Sequence, residues 1–423
     1  MKIALGELPP AGATAVTMAK THINLVPPEH KEPIINAAQQ QINPYLDLIL
    51  GPQADHAAAI VHGVLAPYES IIGRNDPAVL KAEVVARVLL AVIAQALLLV
   101  GRPKDACVAY GYCAHVFGPA GGEEAEELRQ QSHILRPQSV HHREARKVER
   151  EIYRFWGDAA MQAGGKADAE RVHALGVSRG VWPSLTQRPV GQIDRRLTAR
   201  PFWSSDDIPA AKALEAAHPT ILHELQRVMA LQERASKKQG MKDVFAVYKS
   251  DTVKSGAWTD FQLYANGQRD EANARLCPKT AECIASQPAF NQMLVGAHFF
   301  SRLAPGTHIG AHCGPSNLRL RCHLGLMVPK GCRIRVGTEV REWKEGECLI
   351  FDDSFEHEVF HDGDSDRVVL ICDLWHPELD VDDDIIPTLT DTEKAALLAA
   401  RKGEHQTLTE RHYTIGGSVR RAP

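Results

Sequence analysis

Apolar residues recur at helical spacing through the first part of the chain. Residues 33–180 are rich in Ala, Leu, Glu and Arg, and one helix face is marked by Val84, Val88, Leu89, Val92 and Ala96. A repeat of three and four residues is typical of amphipathic helices. The pattern therefore predicts a helical N-terminal region.

The boundaries between these helices repeat. Gly101 is followed by Pro103 and by the small residue Ala106, and Gly164 is followed by Ala169 at the same spacing. Glycine ends helices and proline begins them, so each stretch predicts a helix-turn-helix boundary. We expect a degenerate array of helical hairpins of the tetratricopeptide type, with an unrelated helical bundle as the alternative.

The pattern changes after a proline- and glycine-rich linker at residues 180–200 and a helix expected at 208–236. Short strands are expected at 244–248, 258–264, 320–328, 332–336, 339–343, 348–351 and 367–374. Many short strands separated by tight turns are typical of a jelly roll. The fold expected is α+β and multidomain: a helical, tetratricopeptide-like array followed by a double-stranded β-helix (jelly roll).

These patterns divide the chain into four segments. We expect an irregular arm at 1–30, the helical domain at 31–185, the jelly-roll domain at 195–385, and a tail at 386–423 that includes a helix at 391–401.

Composition and charge narrow the class of protein. Of the 423 residues, 44% are hydrophobic and 24% are charged, and the net charge of -4 argues against a nucleic-acid partner and against disorder. The most apolar run, 84–100, contains Arg87 and Gln95 and is too short to predict a membrane span. Without a signal peptide pattern, and with nine scattered cysteines, a reducing, cytoplasmic location is expected.

Seven of the 20 histidines fall between residues 297 and 377, and the order of some of them along the chain indicates a chemical function. His312 follows a turn and His357 follows an apolar strand, so the two side chains can meet inside a barrel. Nine residues separate His357 from Arg367, which begins the next strand. A buried arginine needs an anion, and its planar fork suits a carboxylate. This order indicates an iron(II) oxygenase that uses a 2-oxo acid, although any single histidine of the cluster has a structural role as its alternative.

Six motifs in this region resemble the aspartyl/asparaginyl β-hydroxylase family, in the same order. They are PGTH at 305–308, HCGPSN at 312–317, RLRCHLGL at 319–326, EWKEG at 342–346, FDDSFEHEV at 351–359 and DLWHPEL at 373–379. With weaker matches upstream, the resemblance covers about residues 195–380. It implies an iron(II)- and 2-oxoglutarate-dependent dioxygenase that uses O2 to hydroxylate the β-carbon of Asp or Asn in a peptide or protein.

The resemblance also implies roles for individual residues. His312 and His357 would bind iron(II), and Arg367 with Ser301 would bind the distal carboxylate of 2-oxoglutarate. Two further residues, Arg321 and His323, would flank the cofactor near the metal.

Arg319 would receive a substrate carboxylate. Strand alternation places Arg319, Arg321 and His323 on one face, and so many polar groups on a buried face indicate anionic ligands.

Gly314 stands where most such oxygenases carry a third, acidic metal ligand. The resembled family has the same gap, which leaves an additional metal position for water. Asp353 is the candidate acid to hold that water.

Other functions remain open from the sequence alone. The site could act on a free small acid or a natural product, or the gap at Gly314 could admit a halide and make the enzyme a halogenase. A helical-repeat binding protein with an inactive barrel is the non-enzymatic alternative. The cysteine pair of the animal enzymes is not matched in place, since Ala274 and Ala281 occupy those positions and Cys277 and Cys283 lie nearby.

Overall fold

A computed structural model describes residues 94, 98, 101, 103–117, 140–237, 243–248, 250–386, 389, 391–404, 406–407, 412–415 and 418–421. The chain divides into two compact units, Met1–Leu185 and Thr186–Pro423. The predicted arm at 1–30 and most of the first half of the predicted helical array lie outside the described residues.

Three helices are described in the first unit: α1 (Pro103–Phe117), α2 (Val140–Gly164) and α3 (Lys166–Ser178). The two predicted helix boundaries are confirmed, since α1 begins just after Gly101 and α3 begins just after Gly165, a residue with a φ of 86°. The helices pack in sequence, α1 on α2 and α2 on α3. The tetratricopeptide-like repeat itself stays a prediction.

Five α-helices are described in the second unit. Their bounds are α4 (Pro209–Lys237), α5 (Glu271–Leu276), α6 (Pro278–Ala285), α7 (Pro288–Asn291) and α8 (Asp391–Arg401). The predictions of α4 and α8 are confirmed, whereas the three short helices between them were not predicted. No helix in the described parts of the chain is long and apolar enough to cross a membrane.

The strands form two sheets, which are antiparallel except for one strand pair. Their bounds are β1 (Phe202–Trp203), β2 (Ala246–Val247), β3 (Val253–Ser255), β4 (Trp258–Ala265), β5 (Gln268–Arg269), β6 (Ala297–Leu303), β7 (His308–His312), β8 (Arg319–Met327), β9 (Cys332–Val336), β10 (Glu339–Glu342), β11 (Cys348–Phe351), β12 (His357–His361), β13 (Arg367–Trp375) and β14 (Gln406–Thr407). A separate hairpin joins β15 (His412–Ile415) to β16 (Ser418–Arg421).

The strand order of both sheets is that of two layers enclosing a core. The larger sheet runs β1-β11-β8-β13-β6-β4-β5-β14, with β2 on β4 and with β14 parallel to β5, and the smaller runs β10-β9-β12-β7-β3. One apolar cluster joins residues of both sheets, including Phe299, Ile334 and Val359. A second cluster joins the outer face of the larger sheet to α4. The arrangement fits a jelly roll with helices on one face.

Most strand predictions are confirmed, and the differences have physical reasons. The predicted strand at 244–248 shortens to Ala246–Val247, which pairs only with β4. We did not predict β6, although it lies in the middle of the larger sheet between β4 and β13. Most of β6 is buried on both faces, so its sequence does not alternate between apolar and polar residues.

Candidate active site

Two histidines from neighbouring strands face each other between the sheets. His312 ends β7 and His357 begins β12, the two are direct partners in the strand pair, and their ring centroids are 4.1 Å apart. His312 Nδ1 lies 2.9 Å from the carbonyl oxygen of Gly310, and His357 Nδ1 lies 2.9 Å from that of Phe355. Because a carbonyl oxygen only accepts, each Nδ1 carries the proton, and each Nε2 keeps the lone pair that binds a metal.

The environment keeps both rings neutral. Burial lowers the pKa of His312, and burial together with the neighbouring His312 lowers the pKa of His357 well below its usual value. Neutral imidazole is the form that coordinates metal ions. Within the residues that the structure describes, no group of three His, Cys, Asp or Glu side chains is arranged to hold a metal.

The space beside Gly314 is already filled by a carboxyl group. A Cβ on Gly314 would stand 2.4 Å from Asp353 Cγ and 2.5 Å from each carboxyl oxygen. Asp353 Oδ2 accepts a hydrogen bond from Arg319 at 3.0 Å, whereas the buried Oδ1 has no hydrogen-bond partner. The space that a side chain at position 314 would need is therefore occupied by the carboxyl group of Asp353, and the role of Asp353 as the acid that holds a water stays a prediction.

Arg367 is a buried cation without an acidic partner in the described part of the chain. It is 2% exposed, its Nε makes no hydrogen bond, and its guanidinium carbon lies 4.0 Å from the ring centroid of Trp343. Burial lowers the pKa of Arg367 to about 10. A buried charge is costly unless it is paired, so this position fits an anionic ligand.

His323 lies on the neighbouring strand β8 and also contacts Trp343. The indole Nε1 of Trp343 donates to His323 Nδ1 at 3.2 Å, and the buried Nε2 of His323 has no hydrogen-bond partner. Burial and the charge of Arg367 lower the pKa of His323 well below its usual value. The neutral ring therefore offers an N–H donor at Nε2.

Ser301 offers a second neutral donor. It lies opposite Val369 in β13, diagonal to Arg367, and is 1% exposed. Its Oγ accepts a hydrogen bond from Trp258 Nε1 at 3.0 Å, which leaves the hydroxyl proton free to donate. Tyr248 stacks on Trp258 with ring centroids 3.8 Å apart and fixes the indole.

Arg319 and Arg321 meet a carboxylate of the protein itself. Asp373 is fully buried in β13 and accepts from Arg321 Nε at 2.8 Å and from Arg319 at 3.3 Å. Burial would raise the pKa of Asp373, but the two guanidinium groups hold it well below its usual range. Asp353 and Asp373 therefore balance the charges of both arginines in this structure, and the expected role of the arginines in binding anionic ligands stays a prediction.

Asp352 directly precedes Asp353, but its carboxyl group has different hydrogen-bond partners. Ser354 N–H donates to Asp352 Oδ1 at 2.9 Å, and Gln187 Nε2 lies 3.3 Å from Oδ2. Burial, together with the nearby charge of Asp353, raises the pKa of Asp352 to about 7, although hydrogen bonds from Ser354 and Gln187 act in the opposite direction.

Comparison with known proteins shows relatives of this part of the chain. A sequence profile described as "Aspartyl/Asparaginyl beta-hydroxylase" matches residues 215–377. Residues 215–377 therefore resemble a domain of this family. The aspartyl/asparaginyl beta-hydroxylase of Homo sapiens is 36% identical over 231 residues, which cover 54% of this chain and 29% of that protein.

Shorter relatives match the same β-hydroxylase domain. The human aspartate beta-hydroxylase domain-containing protein 2 is 39% identical over 202 residues, covering 47% of this chain and 53% of that protein. The mouse domain-containing protein 1 is 45% identical over 121 residues, covering 28% of this chain and 34% of that protein. The chain spans less than a third of the length of the human and mouse hydroxylases that it matches.

The structure brings the residues predicted for the β-hydroxylase site onto the facing surfaces of the two sheets. The small sheet carries the histidine pair, and the large sheet carries Ser301, Arg319, Arg321, His323 and Arg367. Their individual roles stay predictions. The cysteines in the described part of the chain, Cys277 and Cys283 among them, are free thiols.

Three residues that line the candidate site were not predicted from the sequence. Asp373 is the one acid in β13, a strand that is apolar apart from Arg367 and Asp373, and this lone acid was the available signal. Trp258 and Trp343 were read as motif and strand residues only, because an indole gives no sign in the sequence of where its N–H points. Both indoles contact residues assigned to 2-oxoglutarate.

Proposed function

We propose that this chain is an iron(II)- and 2-oxoglutarate-dependent dioxygenase that hydroxylates the β-carbon of Asp or Asn in a peptide or protein. The observation that carries the proposal is the pair His312 and His357, with both Nε2 lone pairs available, beside Asp353 in the space next to Gly314. When bound, iron(II) and 2-oxoglutarate would supply the oxidative chemistry, in which O2 is consumed and succinate and carbon dioxide are released.

The residues of the metal site fit iron(II). Imidazole nitrogen suits iron, and the two rings are held in the ligand tautomer by the carbonyl groups of their own strands. Asp353 would hold a metal-bound water through Oδ1, which has no other partner.

Side chains on the inner face of the large sheet are suited to bind a 2-oxo diacid. Arg367 and the hydroxyl group of Ser301 would bind the distal carboxylate, and the Nε2–H of His323 with Arg321 would hold the end nearer the metal. Each of these groups is buried or nearly so, which strengthens charge-assisted hydrogen bonds and excludes water.

The substrate class rests on the relatives, which are named for aspartyl and asparaginyl β-hydroxylation. Arg319 would contact the substrate carboxylate, in competition with its ion pairs to Asp353 and Asp373. A free small acid is the alternative substrate for the same site.

The test is turnover of 2-oxoglutarate to succinate that depends on O2 and on added iron(II). We expect His357→Ala to abolish turnover. The matched control is His308→Ala, because His308 lies on the same strand as His312 but pairs with Glu358 at 34% side-chain exposure. Full turnover by His357→Ala with iron still bound would contradict the ligand assignment.

Product analysis separates the remaining functions. Peptides containing Asp or Asn and free small acids are each incubated with the enzyme, and a mass increase of about 16 Da identifies hydroxylation. A chlorinated product in chloride buffer would indicate a halogenase instead. Absence of both metal binding and 2-oxoglutarate binding would favour a binding protein.

A further inference from the structure

A single indole joins two residues of the large sheet that face the proposed cofactor. Resting on the function proposed above, we propose that Trp343 is a positioning residue: it fixes the tautomer of His323 and holds Arg367 without neutralising it. Both side chains then present hydrogen-bond donors to the two ends of a 2-oxo diacid.

Trp343 makes one hydrogen bond to the ring of His323. An indole N–H is a donor only, so His323 Nδ1, 3.2 Å from Trp343 Nε1, must accept. A neutral imidazole that accepts at Nδ1 carries its proton at Nε2. That nitrogen is buried and has no hydrogen-bond partner in the structure. Its N–H group can therefore donate to an acceptor atom of a ligand. The opposite tautomer would present a lone pair to a carboxylate and repel it.

Trp343 also contacts Arg367, through the face of its indole ring. Its guanidinium carbon stacks 4.0 Å from the centroid of the Trp343 ring. The face of an indole attracts a cation but carries no net charge, so it holds the guanidinium group and leaves its full charge for a ligand. A carboxylate at this place would compete with the ligand, as Asp373 does for Arg319 and Arg321.

The backbone around Trp343 places this side chain in the interior. All four residues of β10 are exposed, yet the next residue, Trp343, is 4% exposed. Two backbone hydrogen bonds join the turn that follows to β8. Gly346 N–H donates to the Gly325 carbonyl oxygen at 2.9 Å, and Gly325 N–H donates to the Glu347 carbonyl oxygen at 3.1 Å. A Cβ on Gly325 would lie 2.1 Å from the Lys344 oxygen, so only glycine permits this contact.

The first experiment measures the tautomer directly in the full chain, without added cofactor. In protein labelled with nitrogen-15 histidine, two-bond proton–nitrogen correlations distinguish a ring protonated at Nε2 from one protonated at Nδ1, and His323→Gln assigns the signal. We expect the wild type to show the Nε2–H form. Trp343→Phe removes the N–H donor while keeping an aromatic ring, and we expect a mixture of tautomers or the Nδ1–H form.

The second experiment measures binding of 2-oxoglutarate to the manganese(II)-loaded protein by calorimetry. Trp343→Phe should weaken binding about threefold to tenfold, the effect of one hydrogen bond. Trp343→Leu also removes the ring beneath Arg367 and should weaken binding about tenfold further. That additional loss should be smaller for a 2-oxo monoacid, which has no distal carboxylate.

Trp203 provides matched controls. It is 5% exposed and stacks on Arg200 at 3.7 Å, but its indole N–H has no hydrogen-bond partner and the residue packs in the outer core. Trp203→Phe and Trp203→Leu should leave both the His323 tautomer and 2-oxoglutarate affinity unchanged.

The outcomes separate this inference from the proposed function. An unchanged His323 tautomer in a folded Trp343→Phe variant would overturn the inference, even if the enzyme is an active oxygenase. An affinity for 2-oxoglutarate that is equal in wild type and Trp343→Leu would overturn it as well. If the wild type does not bind 2-oxoglutarate at all, the proposed function fails, while the tautomer measurement still decides whether Trp343 fixes His323.

Discussion

At the scale of single residues, the candidate site depends on one absent side chain. Gly314 leaves a space that the carboxyl group of Asp353 fills from the loop before β12. The hydrogen bond from Gly314 N–H to the Asp353 carbonyl, 2.5 Å long, holds the two backbones together. An acid at position 314 would therefore displace Asp353 before it could bind a metal, so the two positions are mutually exclusive.

Gly314→Ala tests this exclusion. The new Cβ must push the Asp353 carboxyl group away, and we expect affinity for manganese(II) to fall about tenfold to a hundredfold, as when a partner of a metal ligand is lost. Calorimetric metal titration measures the effect. Asp353→Ala should lose a similar amount, and the double variant should lose no more than either. An unchanged affinity in Gly314→Ala would contradict the account.

The raised pKa of Asp352 predicts how the stability of the protein depends on pH. Its pKa rises from 3.8 to about 7 on folding, so between these values the native state binds more protons than the unfolded state. The contribution of Asp352 to stability is therefore present at low pH and is lost as the pH rises to about 7.

The measurement compares the wild type with Asp352→Asn, which resembles the protonated acid. Between about pH 4.5 and 6.5, the free energy of unfolding of the wild type should fall relative to the variant by about 1.4 kcal/mol per pH unit. Urea denaturation across this range gives the difference, in which the contributions of the histidines cancel. A difference that is flat or rises with pH would contradict a raised pKa.

At the scale of elements, β8 shows what alternation can and cannot predict. The sequence places Arg319, Arg321 and His323 on one face, and the structure confirms it, because Leu320 and Leu324 pack in the outer core. Alternation does not predict which residue of the neighbouring strand lies opposite a given residue. The register that sets Arg321 opposite Asp373 depends on the whole sheet, so the pairing could not be predicted.

The strand predictions were accurate where local sequence sets the ends of a strand, and they failed where the rest of the sheet does. Cys332–Val336 and Cys348–Phe351 have the predicted bounds, because local turns delimit them. Ala297–Leu303 was missed because it is an interior strand without a polar face. The family motifs named the candidate site residues, but contacts made by Trp258 and Trp343 become visible only when the two sheets are assembled.

Asp373→Asn tests the charge pairing between β8 and β13. Removing the fully buried carboxylate leaves Arg319 and Arg321 beside each other with only Asp353 to balance them, and we expect a loss of about 3–5 kcal/mol in the free energy of unfolding. Asp366→Asn is the matched control, since that acid pairs with Arg302 at 23% side-chain exposure and should cost less than about 1 kcal/mol. Urea denaturation measures both, and equal losses would contradict the assignment.

At the scale of the whole molecule, the two main apolar cores of the second unit fall between residues 202 and 374. A unit that contains its own cores is expected to fold by itself. The proposed metal and cofactor residues also lie inside this unit, between Ser301 and Arg367. The chemistry should therefore be separable from whatever the helical unit contributes.

A fragment of residues 186–423, expressed alone, tests that separation. We expect cooperative unfolding, and binding of manganese(II) and 2-oxoglutarate within about threefold of the full chain, because no side chain assigned to either ligand lies before residue 186. Turnover of a peptide substrate is compared in parallel. A fragment that binds 2-oxoglutarate normally but has a raised KM for peptide would assign substrate recruitment to the helical unit. A fragment without cooperative unfolding would show that the jelly-roll unit needs residues 1–185 to fold.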